Sequence, residues 1–219
     1  MESLKLPAGL GPTRSEGLLG KRALDAGGPQ GLMVELFSGS AILSSRFAAG
    51  GFEVMPLDIK QGVDLRRWEP PEGLRGRVTY LHSGPPCQEF SGLAYDYDRV
   101  WRADMGLIGR TLELVQALRP RMWSLENVKM LQWLLGQAPY HYGGFFFWGW
   151  FPFEYMPDAR EHWTRSFKGT HLDRAAGDVR SNEQRTPEER ATYPPGLVEA
   201  LFQAVTKRLQ HGYQRRGAA

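Results

Sequence analysis

A chain of 219 residues, 42% hydrophobic and 23% charged, has the make-up of a soluble globular protein with one good-sized core. Its single cysteine, Cys87, rules out an internal disulfide and a cysteine-rich zinc site. The net charge of +3 is compatible with a nucleic-acid partner and equally with a solvated, arginine-rich surface. No stretch approaches the roughly 18 apolar residues of a membrane span. The first twenty residues lack the basic region and apolar core of a signal peptide, so the expectation is a cytoplasmic protein without a membrane partner. Composition leaves the oligomeric state open.

Residues 1–30, rich in Gly and Pro and without a sustained period, read as an N-terminal arm. "GLMVELFSG" is a short apolar run ending in Ser-Gly, which predicts a buried parallel strand. "AILSSRFAAGG" carries apolar residues at helical spacing and closes on Gly50-Gly51, a helix stop. "FEVMPLDI" and "VTYLHSG" predict two more strands, a helix follows from about Gly106 to Leu118, and "RMWSLENV" and "GGFFFWGWF" predict two further strands. The last of these reads as a central strand buried on both faces, or as one that projects Trp148, Trp150 or Phe151 toward a substrate or partner. Residues 152–192 are polar and poor in aliphatics, and read as a loop-rich insertion. "PPGLVEALFQAVTKRL" predicts a closing helix with Pro195 in its first turn and Leu197, Leu201, Phe202, Val205 and Leu209 on one face. Strands alternating with helices imply an α/β domain over 31–151 plus 193–211, with a mostly parallel sheet and a short tail at 212–219.

In such sheets ligands sit beyond the carboxyl ends of the strands. The loop in "ELFSGSA", Glu35 to Ala41, is built of small residues that let backbone approach a ligand. Asp58 ends the second strand, where a carboxylate can take the hydroxyls of a ribose, and Asp64 is a candidate contact for an adenine edge. These features are common to nucleotide folds and to ordinary α/β turns. Neither G-x-G-x-x-G nor G-x-x-x-x-G-K-[ST] is present. An adenosine without a phosphate fits better, and S-adenosylmethionine is such a cofactor.

"SGPPCQEFSG", Ser83 to Gly92, sets the single thiol behind a Pro-Pro pair just after an apolar run. "GPPCQEFSG" closely resembles the catalytic loop of the cytosine carbon-5 methyltransferases, G-P-P-C-Q-x-F-S, and "ENV" at 126–128 matches that family's second catalytic motif. "ELFSGSA" is similar to its first cofactor motif. The resemblance runs from about residue 32 to 150, plus the closing helix. It implies a class I S-adenosylmethionine-dependent methyltransferase fold, Rossmann-like with helices on both faces of the sheet. It also implies S-adenosylmethionine contacts from Glu35, Phe37, Ser38, Gly39, Ser40, Asp58, Ile59, Asp64, Leu65, Gly84, Pro85 and Leu107. Cys87 is then the nucleophile, because thiolate addition at carbon 6 makes carbon 5 nucleophilic. Glu126 protonates ring nitrogen 3, Asn127 orders the loop, and Pro85 and Pro86 pre-organise it. The implied partner is double-stranded DNA with the target base flipped out; tRNA is the alternative, and a catalytically weak nucleic-acid-binding module a second one. Tyr95, Tyr97 and Trp101 would fill the vacated stack and Arg99 and Arg102 reach phosphates, or these aromatics pack their own loop.

The sequence departs from that pattern in four places. Glu35 stands where the family has Asp, and Ala41 where it has Gly. Tyr142 and Gly144 occupy the places of an R-x-R pair whose arginine contacts the cytosine carbonyl, so either another arginine, with Arg165 the candidate, takes over or base binding is weakened. Residues 152–192 are short for a target-recognition region, as in small phage-type members, so the expected recognition site is short or loosely read, whether its use is restriction-modification or regulation. His82, His141, His162, His171 and His211 show no metal-ligand spacing and are assigned no function.

Overall fold

The computed structural model describes residues 30–88, 90, 104–158 and 192–214. The N-terminal arm, the loop bearing Tyr95, Tyr97, Arg99, Trp101 and Arg102, and the segment with Arg165 lie outside the described residues.

The fold is α/β. Six strands form one mixed sheet: β1 (Leu32–Leu36), β2 (Glu53–Leu57), β3 (Val78–Ser83), β4 (Met122–Asn127), β5 (Tyr140–Tyr142) and β6 (Phe145–Trp148). Their order is β2-β1-β3-β4-β6-β5. The first four run parallel, and β6 is antiparallel to both of its neighbours. β1 and β3 are buried along their whole length, since parallel strands are covered on both faces, and the polar Glu35, Thr79, His82 and Ser83 are buried with them. β2 lies at an edge and pairs only with β1, which is where a sheet tolerates a proline such as Pro56.

Helices cover both faces. On one, α1 (Ile42–Ala49) and the closing helix pack Leu43, Phe47, Leu197, Leu201 and Val205 against Met33, Tyr80 and Phe147. On the other, α2 (Gly106–Leu118) sets Ile108, Leu114 and Leu118 against Val34, Leu81 and Leu125. A short helix, α3 (Gln132–Leu135), follows β4, and the closing helix α4 spans Pro195–Gln214. Arg46 of α1 lies 3.5 Å over the Phe202 ring and makes a two-pronged ion pair with Glu199, fastening α1 to α4. The residue that caps α1 is Gly50, where a Cβ would sit 2.2 Å from the Phe202 ring.

Three features differ from the sequence reading. "GGFFFWGWF" is no central strand: β6 is second from the edge, reversed, and formed as a hairpin with β5 across a Gly143-Gly144 turn. Its apolar run does bury Phe146, Phe147 and Trp148, while Trp150 beyond it is 46% exposed. Residues 152–158 do not belong to a polar insertion, since Phe153, Tyr155 and Met156 pack onto the α1–α4 face of the core. Helix α4 continues to Gln214, past the predicted helical run that ends at Leu209.

Candidate functional site

In a sheet ordered β2-β1-β3-β4, the chain leaves β1 in one direction and β3 in the other. A crevice opens where they diverge, at their carboxyl ends. The loop after β1 and the loop after β3 both start there, and Gly84 N–H donates to Leu36 O at 3.3 Å to hold them side by side.

The β1 loop is strained. Phe37, Gly39 and Ala41 all take left-handed backbone, with φ of 58°, 51° and 55°. For Phe and Ala this conformation is unfavourable, so the surroundings must impose it. Asp58, buried at the end of β2, accepts Gly39 N–H at 2.9 Å on one oxygen and Lys60 N–H at 2.8 Å on the other. Ser38 N–H donates to Leu57 O, and the Ser38 hydroxyl to Gln61 Oε1. Gly39 faces open space, Ser40 is exposed, and Ile59 stands 69% exposed beside Asp58.

Glu35 has a different setting from its neighbours. It is 3% exposed, and its Oε2 accepts both the backbone N–H and the hydroxyl of Ser44. Helix α1 has no capping side chain at Ala41, so Glu35 satisfies one of its orphan N–H groups from below. Burial holds the Glu35 carboxyl above its ordinary range. Asp64 is spent locally, accepting Arg66 N–H and pairing with Arg67. Leu65 is buried in the core, and Leu107 is half-buried in the first turn of α2.

The thiol loop is fastened at both ends. Asn127 Nδ2 donates to Pro85 O at 3.1 Å, while its Oδ1 accepts Val128 N–H. The "ENV" strand end thereby grips the backbone two residues before Cys87, although the two motifs are 39 residues apart in the chain. Downstream, Phe90 is buried and its N–H donates to Cys87 O at 2.9 Å. Pro85 is buried, Pro86 exposed and Cys87 half-buried. Ser83, fully buried ahead of the loop, bonds Thr111, which in turn donates to Leu107 O.

Glu126 projects from the opposite face of β4 to Asn127. Burial pushes its carboxyl up to about 7, against a smaller opposing effect of the hydrogen bond from Tyr193. The Tyr193 hydroxyl donates to Oε2 at 3.0 Å. A Cβ at Gly84 would lie 2.5 Å from that hydroxyl and 3.6 Å from Oε2, so a glycine is required between the thiol loop and Glu126. Tyr193 and His82, which carry no family motif, both join this site. The only sequence signal is an imidazole within a largely apolar strand for His82, and Tyr193 in its polar stretch carries none.

The crevice thus gathers the β1 loop, Asp58, Gly84, Pro85, Cys87, Glu126 and Asn127. Tyr142 is buried in β5 and Gly144 exposed in the hairpin turn, and neither offers a cation. Among the described residues, no group of three or more His, Cys, Asp or Glu side chains could hold a metal ion, and no helix is long and apolar enough to cross a membrane.

No protein-family model and no curated protein matches the chain. Among solved structures it is similar to a protein assigned to the Zn-dependent alcohol dehydrogenases of Rhodobacter sphaeroides, at 12% identity. The match covers 89% of this chain and 72% of that one, with a TM-score of 0.27. A likeness of that size carries no argument about fold or activity.

Two outcomes are expected at these residues. Left-handed backbone costs a non-glycine roughly 1–2 kcal/mol, partly offset by glycine's greater freedom when unfolded, about 0.5–1 kcal/mol. Ala41→Gly therefore raises unfolding stability by up to about 1 kcal/mol in a urea titration; a clear loss would contradict the strain. Glu126 titrates at about 7 when folded and at its ordinary 4.5 when unfolded, so its protonated form favours the folded state. That contribution is complete below pH 4.5 and is lost as pH rises through 7. The stability difference between wild type and Glu126→Gln should decline over this window. His82, held by burial to about 3, acts in the opposite sense but is present in both proteins and cancels. A flat difference would refute the burial of Glu126.

Proposed function

We propose that this chain transfers a methyl group from S-adenosylmethionine to carbon 5 of a cytosine flipped out of duplex DNA, through a covalent adduct on Cys87. The observation that carries this reading is the Asn127–Pro85 hydrogen bond, which couples the "GPPC" loop to the "ENV" strand end at the switch-point crevice. On the same reading the α/β fold is that of a class I methyltransferase and the protein works in the cytoplasm.

The residues present suit the cofactor. The loop Phe37–Ala41 offers backbone and open space, Asp58 keeps lone pairs on both oxygens for ribose hydroxyls, and Ile59 offers an exposed apolar surface for a purine ring. When bound, S-adenosylmethionine supplies an electrophilic methyl on a sulfonium.

Adduct formation and protonation of the ring fall to side chains of this chain. The Cys87 thiolate adds to carbon 6, forming the S–C6 bond and pushing electrons toward carbon 5 and nitrogen 3. Glu126, whose carboxyl holds its proton up to about pH 7, donates to nitrogen 3 and keeps negative charge out of the ring. Carbon 5 takes the methyl. A base then removes the carbon-5 proton, the S–C6 bond breaks, and the nitrogen-3 proton returns to Glu126. The Asn127 grip on Pro85 restricts the loop before the thiol reaches the ring, which reduces the entropy lost on approach. Flipping the base costs a few kcal/mol, which strand contacts must offset.

One observation favours a non-catalytic, nucleic-acid-binding module. Tyr142, buried in β5, and Gly144, in the turn, leave the base carbonyl without the arginine that the resembled family supplies there.

The two readings separate with duplex DNA in which 5-fluorocytosine replaces cytosine. Fluorine at carbon 5 blocks the final elimination, so with S-adenosylmethionine the protein should form a denaturant-stable adduct that Cys87→Ser abolishes. No adduct on varied-sequence DNA or on tRNA would favour the binding module.

A further inference from the structure

Behind Glu126 runs a chain of hydrogen bonds that methyl transfer, as set out above, does not use. The Tyr193 proton is committed to Glu126 Oε2, at 3.0 Å. His82 Nε2 lies 2.8 Å from the same phenol oxygen, so it must be the donor there, and the imidazole carries its proton on Nε2. That tautomer leaves Nδ1 as an acceptor, 2.9 Å from Ser124 Oγ and 3.2 Å from Tyr80 Oη. The Tyr80 hydroxyl is in turn 2.8 Å from Ser124 Oγ. From His82 through Tyr193 to Glu126 the donors therefore run one way, and the Tyr80–Ser124 pair supplies the donor to Nδ1.

Sheet register assembles this chain. Tyr80 and His82 are two apart on β3 and share a face; Ser124 and Glu126 do the same on β4, and His82 is paired with Ser124. Tyr80, His82 and Ser124 are each at most 1% exposed. Burying three polar side chains is costly unless each is satisfied, and here each is, in a row whose members polarise one another. The remaining link arrives from far along the chain. Tyr193 is seated by edge-on contacts with the His82 ring, centroids 5.4 Å apart, and the Phe145 ring, at 5.5 Å. The carbonyl of Pro194 just after it accepts the N–H groups of Leu197 and Val198 in the first turn of α4.

We infer that Tyr193 is a positioning residue for Glu126: as the last donor of this chain it fixes Oε2 as a permanent acceptor and leaves Oε1 to carry the exchangeable proton. The inference rests on the methyl-transfer reading for the use of that proton, and on the hydrogen-bond chain for its place. Burial and nearby charge keep the chain in one protonation state. Burial raises both phenols, joined at Tyr193 by the Glu126 carboxylate and, at both, by Glu35 of β1, so Tyr80 and Tyr193 stay protonated. Burial keeps His82 neutral, near 3, so it remains a donor through Nε2 alone. Gly84 leaves the space in which the Tyr193 hydroxyl reaches Oε2.

The test is a carbon-13 carboxyl titration of Glu126 in wild type, Tyr193→Phe and Gly84→Ala, with the pH dependence of adduct formation on 5-fluorocytosine DNA measured beside it. Tyr193→Phe keeps the ring and its edge contacts, while Gly84→Ala displaces the hydroxyl without deleting it. Loss of the donor removes a bond that favours the carboxylate, so Glu126 should titrate at higher pH in both variants. The falling limb of the adduct rate should move up with it, and the maximal rate should drop about tenfold. Unchanged titration and rate in both variants, with an adduct formed, would overturn the inference and leave methyl transfer standing. A shifted titration in protein that forms no adduct on DNA or tRNA would uphold the Tyr193–Glu126 coupling and contradict the methyl-transfer reading.

Discussion

Everything at the site depends on the pairing of β3 with β1 on one side and β4 on the other. That arrangement puts the thiol loop, which leaves β3, between the strained loop after β1 and the acidic end of β4. Full burial of β3 makes its position rigid, and its last residue, Ser83, is tied to α2 through Thr111. A loop that starts from so fixed a point needs few further contacts to be ordered. The hydrogen bonds at Gly84, Pro85 and Phe90 are among them.

The two-residue period of β4 then divides labour between its faces. Asn127 points to the side of the thiol loop, and Glu126 to the side packed by α1 and α4, where burial raises its carboxyl to about 7. Adjacent residues thus hold the loop backbone and present a raised carboxyl without competing. The same alternation on β3 aligns His82 with Ser124 and makes a polar seam through an apolar layer. Such a seam is stable only if every member is satisfied, which ties the chemistry of Glu126 to packing of α4 through Tyr193.

Much of this was legible in the sequence. The first four strands, α1, α2 and α4 follow from apolar runs and 3.6-residue spacing, and the thiol loop and "ENV" announce themselves as motifs. The β5–β6 hairpin was missed because "HYGGFFFW" has neither clear alternation nor a charged face, and an apolar run does not reveal its direction in a sheet. Glu35 reads as a ligand contact by position, but which group its carboxylate meets depends on the helix behind it, and that group is Ser44. His82 and Tyr193 were invisible because their partners are far away in the chain: the Tyr193–Glu126 bond spans 67 residues. A lone histidine within an apolar strand reads as core, and here it is core, but with a directed hydrogen bond on each ring nitrogen.

The central claim is methyl transfer to carbon 5, and the most direct measurement follows the methyl group itself. Duplex DNA and, separately, tRNA would be incubated with the protein and S-adenosylmethionine bearing a trideuterated methyl, then digested to nucleosides and examined by mass spectrometry. The account predicts 5-methylcytosine three mass units heavier than ordinary 5-methylcytosine, in DNA, and none with Cys87→Ser. Folded wild-type protein that leaves no deuterated 5-methylcytosine in either nucleic acid would contradict it.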